Sequence, residues 1–252
     1  MRTEEVSELL IDVAARVVLP RWRRLGADEV FDKGHGDLVT VADREAEREL
    51  GAALAAATPG ALIVGEEAVA EGVTNLADLA GAGHAWLIDP VDGTGNFAHG
   101  SPDFAVMVAE VVGGATERAW IWQPVHERLY VAERGRGASR NGEPIPPRPR
   151  PGVPVGTVPG SRRARVAEHL RVVPSWRCCG MEYPALLEGE RDFLVYRTVK
   201  PWDHLPGALL VSEVGGRVAT LEGADYRAGV DGSLLVVAAS AELWGRVAGA
   251  LG

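Results

Sequence analysis

The stretch Ala85-Trp86-Leu87-Ile88-Asp89-Pro90-Val91-Asp92-Gly93-Thr94-Gly95-Asn96-Phe97 decides how this chain is read. Its apolar start reads as a buried strand that delivers Asp89 at its end. Pro90 fixes the backbone and breaks the strand, turning Asp92 back toward the same place. Gly93 allows the chain to approach a ligand closely, and Thr94 opens a helix whose free N–H groups suit a phosphate. Two carboxylates held this close repel one another unless a positive charge sits between them. Hard oxygen ligands select magnesium-like ions over zinc. The competing reading makes Asp-Pro and Asp-Gly ordinary turn pairs.

Upstream, Val6, Leu9, Leu10, Val13, Ala14, Val17 and Val18 recur at helical spacing, and Pro20 ends or kinks that helix. A glycine-rich turn at residues 33–37 leads to a second helix, from about Val41 to Ala57. The short strand Ala61-Leu62-Ile63-Val64 then runs into Gly65-Glu66-Glu67. Downstream, Phe104–Val112, Ala119–Gln123 and Arg128–Glu133 read as a meander. Residues 143–151 carry five prolines, a stiff connection and the best internal boundary. Beyond it come strands at 155–158, 193–196, 217–221 and 234–238. Helices are expected near Arg163–Leu170, from Trp202 to a Gly215-Gly216 cap, and after Ser240. The pattern is that of a layered α/β (α+β) protein, with an N-terminal half (1–142) and a C-terminal half (152–252) forming one compact unit.

The 252 residues suffice for a sizeable core, and 46% hydrophobic with 24% charged residues is ordinary for a globular chain. A formal net charge of -9 speaks against nucleic acid as a partner. Cys178 and Cys179 are the only cysteines, adjacent and without zinc-ligand spacing, so no disulfide framework is expected. The acidic N-terminus and the lack of an apolar run of ~20 residues lead to the expectation of a soluble, cytoplasmic protein without membrane contact.

Other acids stand at suggestive places. Glu66 and Glu67 follow a strand, and strand alternation leads one of them to the site and the other behind it. Asp43 lies in the capping box Thr40-Val41-Ala42-Asp43, and Asp203 near the start of a helix, where capping alone is an alternative account. Lys33 among glycines is either solvated or an anion contact.

In order and spacing these pieces are similar to the inositol monophosphatase family. The matching parts are Asp37-Leu38-Val39-Thr40 with Asp43, Gly65-Glu66-Glu67, Trp86 through Thr94, Asn96-Phe97, and Trp202-Asp203 followed by Gly215-Gly216. The resemblance implies alternating α-β-α-β-α layers and a homodimer. It implies that Glu66, Asp89, the Val91 carbonyl, Asp92 and Asp203 ligate two or three Mg²⁺ ions. Thr94 would orient the attacking water, helped by Glu66 and Asp43, with Glu67 and Lys33 behind the ligands. Gly93, Thr94, Gly180 and Tyr196 would face phosphate and substrate. The activity implied is hydrolysis of a small sugar- or inositol-type phosphate ester by metal-activated water, without a covalent intermediate.

The chain departs from the family pattern in places. Gly95 stands where Thr or Ser is usual, and Leu205-Pro206 follows Trp202-Asp203. Residues 180–183 replace a Gly-Ser-Ala-type loop. Tyr196 occupies the position, seven residues before Asp203, where inositol-selective members place a glutamate. Fructose 1,6-bisphosphate and histidinol phosphate therefore stay open as substrates, whereas the nucleotide branch typically reads Asp-Gly-Thr-Lys-Glu-Phe. A haloacid-dehalogenase-type Asp-x-Asp-x-Thr motif fits poorly, because Asp89 and Asp92 are three apart. A non-catalytic metal- or phosphate-binding module is the alternative of another class.

Overall fold

The first helix, α1 (Thr3–Val13), widens over Ala14–Val18, where the Leu19 N–H reaches the Ala14 carbonyl at 2.8 Å, five residues back. Pro20 has no N–H and its ring crowds the preceding turn, which accounts for the widening. The computed structural model describes residues 1–34, 37–147, 152–166, 170–230 and 232–252, with Asp37 as backbone only. The glycine-rich stretch is flanked by an antiparallel hairpin, β1 (Val30–Gly34) and β2 (Asp37–Thr40), not foreseen from the sequence. Then come α2 (Val41–Ala57), β3 (Leu62–Gly65), α3 (Glu66–Ala70), β4 (His84–Asp92) and α4 (Thr94–Ala98). Strands β5 (Ala105–Val112), β6 (Ala115–Gln123), β7 (Arg128–Glu133), β8 (Gly137–Arg140) and β9 (Glu143–Pro144) follow.

Beyond the proline-rich stretch, of which residues 148–151 lie outside the described residues, come β10 (Val155–Thr157) and α5 (Arg163–Val166). The helix expected to Leu170 crosses residues 167–169, also outside the described set. The chain continues with β11 (Arg171–Val172), α6 (Cys179–Leu187), β12 (Phe193–Tyr196), α7 (Pro201–Glu213), β13 (Arg217–Thr220), β14 (Leu235–Ala238) and α8 (Ala241–Leu251).

Strands β3 to β9 form one seven-stranded sheet in sequence order, parallel only at β3–β4. The second sheet runs β11-β10-β12-β14-β13. Strand alternation sorts the core into layers. Trp86, Ile88, Val106, Val108 and Trp120 face α1 and α2, packing on Val6, Leu10, Ala46 and Leu50. Ala105, Met107, Ala119 and Ile121 face the other way, onto Tyr183 and Leu187 of α6 and Leu209 and Leu210 of α7. That same helical layer meets Leu194, Leu235 and Val237 of the second sheet. The far face of that sheet, with Phe193, Val195, Val236 and Ala238, is covered by Leu243, Trp244 and Val247 of α8. The order is α-β-α-β-α. Burial on both faces explains why β4 and β5 read as nearly continuous apolar runs. No described helix is long and apolar enough to cross a membrane.

Candidate active site

Pro90 does not end its strand. Strand β4 runs on through Asp92 with a shift of register: Asp89 pairs with Met107 and Asp92 with Ala105, so three steps on β4 oppose two on β5. Residues three apart on a regular strand point to opposite faces, and the extra residue of a bulge cancels that. Directly opposed residues share a face, and Met107 and Ala105 face α6 and α7. Asp89 and Asp92 are therefore both turned toward α7, which carries Asp203 as its third residue, after Pro201 and Trp202. Lys200, not Asp203, is the cap, so capping does not explain the aspartate.

A cavity of about 470 Å³ has Glu66, Asp89, Val91, Asp92, Gly93, Thr94 and Asp203 in its wall. Burial, and then the charges of Glu66, Asp92, Asp203 and Asp43, hold the Asp89 carboxyl well above the usual carboxylate range. Its Oδ1 is buried with no hydrogen-bond partner among the described residues. Burial likewise pushes Asp92 up to about 6, opposed by hydrogen bonds from the Gly180 N–H and the Cys178 thiol. An orphaned carboxylate oxygen among several acids, with oxygen as the available donor, is a chemical fit for a hard divalent cation.

Thr94 begins α4 behind Gly93, which holds φ at 83° and whose Cβ would stand 3.0 Å from that of Cys178. The Thr94 hydroxyl lies 3.1 Å from Asp43 Oδ1 and 3.0 Å from the Val91 carbonyl. The other oxygen of Asp43 takes the Thr40 N–H at 2.9 Å. The capping box is thus real, and the same carboxylate also meets Thr94. Burial pushes Asp43 up to about 6.

Glu66 and Glu67 are the first residues of α3, so alternation along a strand does not separate them. Both meet Lys33 Nζ, at 2.8 Å and 3.0 Å, across from the β1–β2 hairpin. Burial and the Glu66 charge push Glu67 up to about 7. Burial alone would lower the Lys33 pKa, but the two glutamates outweigh it and raise it.

The residues expected on the substrate side divide. Gly180 belongs to α6, not to a loop, and is buried: its N–H goes to Asp92 and its carbonyl takes Gln123 Nε2 at 2.8 Å. A Cβ there would stand 2.4 Å from that of Ala105. Its N–H orients Asp92, and its carbonyl is engaged by Gln123. Tyr196 lines an adjoining cavity that Asp92 and Asp203 also border.

Across residues 2–250 the sequence matches the model of the inositol monophosphatase family. The chain belongs to that family. It is 33% identical over 239 residues to the Nus factor SuhB of Pseudomonas aeruginosa, covering 83% of this chain and 82% of that protein. An inositol-1-monophosphatase of Bacillus subtilis is 30% identical over 203 residues, 75% of either chain. A fructose-1,6-bisphosphatase/inositol-1-monophosphatase of Thermotoga maritima is 29% identical over 228 residues, covering 87% of this chain and 85% of that one. Among solved structures, an IMPase of Thermotoga maritima aligns with a TM-score of 0.83 at 26% identity, covering 100% of this chain and 97% of that one.

For a member of the inositol monophosphatase family, Gly95 is a change of chemistry and not of packing. A Cβ at that position meets nothing within 4 Å. Three supporting contacts escaped the sequence reading. Glu47 takes the N–H groups of Glu67 (2.7 Å) and Ala68 (2.8 Å), capping α3 from a different helix. Gly65 has no side chain because a Cβ would lie 2.1 Å from Glu47 Cδ. Cys178 donates its thiol to Asp92 at 3.1 Å. Only Glu47 carried a signal: it lies on the buried face of α2 with Ala42, Ala46 and Leu50.

Proposed function

We propose that this chain is a magnesium-dependent phosphomonoesterase acting on a small sugar- or inositol-type phosphate ester. The observation that carries the reading is the shared cavity of Glu66, Asp89, Asp92, Asp203 and Thr94, in which a buried Asp89 oxygen has no hydrogen-bond donor among the described residues. Glu66, Asp89, Asp92, Asp203 and the Val91 carbonyl would hold the cations. Bound Mg²⁺ supplies positive charge against the negative charge that grows on the attacking and leaving oxygens.

The chain's own groups do the rest. Asp43 accepts a hydrogen bond from the Thr94 hydroxyl, which leaves the Thr94 oxygen lone pairs to accept a hydrogen bond from the attacking water. Glu66, at the cavity wall, is the carboxylate placed to take the second water proton. Gly93 leaves no side chain between the backbone and the ester phosphate. Lys33 balances Glu66 and Glu67 and holds Glu66 in place. Membership of the family and its phosphatase relatives support this reading.

The test is phosphate release from a panel of inositol, sugar and histidinol phosphates, with Mg²⁺ or EDTA. Turnover is expected only with the metal, and Asp92→Asn is expected to lower it by more than about 100-fold with the fold retained by circular dichroism. Full activity in that variant, or in EDTA, overturns the assignment.

A further inference from the structure

We propose that Cys179, Asp203 and His204 form a second kind of metal site, which takes a thiophilic divalent cation of the zinc type and competes with magnesium for Asp203. The competition rests on the phosphatase reading, which makes Asp203 a magnesium ligand; the binding itself does not. The three residues stand on two helices, Cys179 at the start of α6 and Asp203 and His204 in the first turn of α7. Gly207 lets these helices close on one another, since a Cβ there would stand 2.1 Å from Tyr183 Cγ. A sulfur, a carboxylate oxygen and an imidazole nitrogen thereby come within 4.8 Å of one another. Cys179 and His204 are 25 positions apart in the chain, which is why spacing gave no zinc signal.

These donors suit a different ion from the carboxylate cluster. Thiolate and imidazole favour borderline-soft cations, and three such protein ligands with a fourth position open is a zinc pattern, not a magnesium one. His204 is oriented for it. Its Nε2 lies 2.9 Å from the Thr198 carbonyl, which only accepts, so Nε2 carries the ring proton. Burial favours the neutral ring, and Nδ1 keeps a lone pair, 4.0 Å from Cys179 Sγ. Metal-bound histidines are commonly held in this way, by an acceptor on the far nitrogen. A tetrahedral ion with bonds of about 2.3 Å to sulfur and about 2.0 Å to nitrogen needs roughly 3.5 Å between them, so a small inward shift closes the site.

Without an ion, the Tyr183 hydroxyl donates to Nδ1 at 3.1 Å. Binding exchanges that hydrogen bond for a metal–nitrogen bond, and the Cys179 thiol releases its proton to solvent as the sulfur–metal bond forms. Cys179, Asp203 and His204 all border the adjoining cavity of about 620 Å³, which gives an ion its path from solvent. Asp203 borders the carboxylate cavity as well. An ion held by Cys179 and His204 therefore takes a carboxylate that the magnesium cluster needs.

Cobalt(II) is the probe, because a bond to thiolate gives it an intense near-ultraviolet band that oxygen ligands do not. Titrating the full chain with Co²⁺ should raise this band, Zn²⁺ should abolish it by displacement, and Cys179→Ser should lack it. No band, or a band that survives in Cys179→Ser, overturns the site. Tyr183→Phe keeps the ring and removes the competing hydroxyl, so its Co²⁺ affinity should rise by ~3-fold or more. Unchanged affinity there takes His204 out of the ligand set and overturns the site. Turnover tests the competition. Relative to each protein's own activity in Mg²⁺ alone, Zn²⁺ should inhibit the wild type at concentrations ~10-fold lower than Cys179→Ser. Equal inhibition overturns the competition and leaves Mg²⁺-dependent hydrolysis standing. If no ester is hydrolysed with Mg²⁺, the phosphatase reading fails, and the cobalt band alone decides the site.

Discussion

The Thr94 hydroxyl has one proton and two acceptors in reach, Asp43 Oδ1 and the Val91 carbonyl. A buried carboxylate is the better acceptor, so the hydroxyl donates to Asp43 and its oxygen faces the cavity as an acceptor. Thr94→Val keeps the shape and deletes that relay. It is expected to lower kcat by about 100-fold while KM changes little, read from steady-state kinetics. Turnover within about threefold of wild type would remove Thr94 from the water-orienting role. Cys178 contributes differently. Burial and the nearby Asp92 push its thiol well above the ordinary range, so it remains a protonated donor to that carboxylate.

At the scale of elements, the site is an assembly of starts and irregularities. Helix α3 is only Glu66–Ala70, too short to stand alone, and its first N–H groups are held by Glu47 of α2. Glu47→Ala should cost about 1–3 kcal/mol in chemical denaturation, and Mg²⁺ affinity should weaken with it because Glu66 is the first residue of α3. A variant as stable as wild type would show that α3 holds itself. Asp89 and Asp92 were legible from their place at the end of an apolar strand, whereas Glu66, Asp43 and Asp203 also read as turn or cap residues and were marked by the family resemblance. Helix α2 was also legible, from its capping box and the Pro59-Gly60 stop, and β12 from its apolar run. The bulge in β4 was not, since Pro90 reads locally as a terminator and only pairing with β5 shows the strand continuing. Helix α6 was hidden because Gly180 and Pro184 argue against a helix, and packing of Tyr183 onto Gly207 of α7 overrides them. The β1–β2 hairpin has too few apolar residues to announce itself.

Across the whole molecule, the acids set a pH dependence. Asp43 and Asp92 are pushed up to about 6, Glu67 to about 7, and Asp89 is raised as well. Unfolded, these groups lose their protons near pH ~4. Between those values the folded chain holds protons that the unfolded chain has released, so stability falls as pH rises through the folded values. In EDTA the Tm should therefore drop between about pH 4.5 and 7.5, whereas saturating Mg²⁺ should remove most of the drop by replacing those protons. Asp89→Asn should flatten the EDTA curve. A Tm that stays level or climbs over that range without metal would show that the carboxylates are not in conflict.

Helices α6 and α7 serve two sheets at once, and the chain makes them late. The inner face of the seven-stranded sheet, with Met107 and Ile121, is not fully covered until Tyr183 and Leu187 of α6 and then Leu209 and Leu210 of α7 exist. During synthesis at roughly 5–20 residues per second, a finished sheet would wait for several seconds with that face bare. The ribosome therefore releases this protein through an interval in which its first half is sticky. A trigger-factor-like holdase has a defined surface to shield, and slowing translation between the two halves would lengthen the exposure.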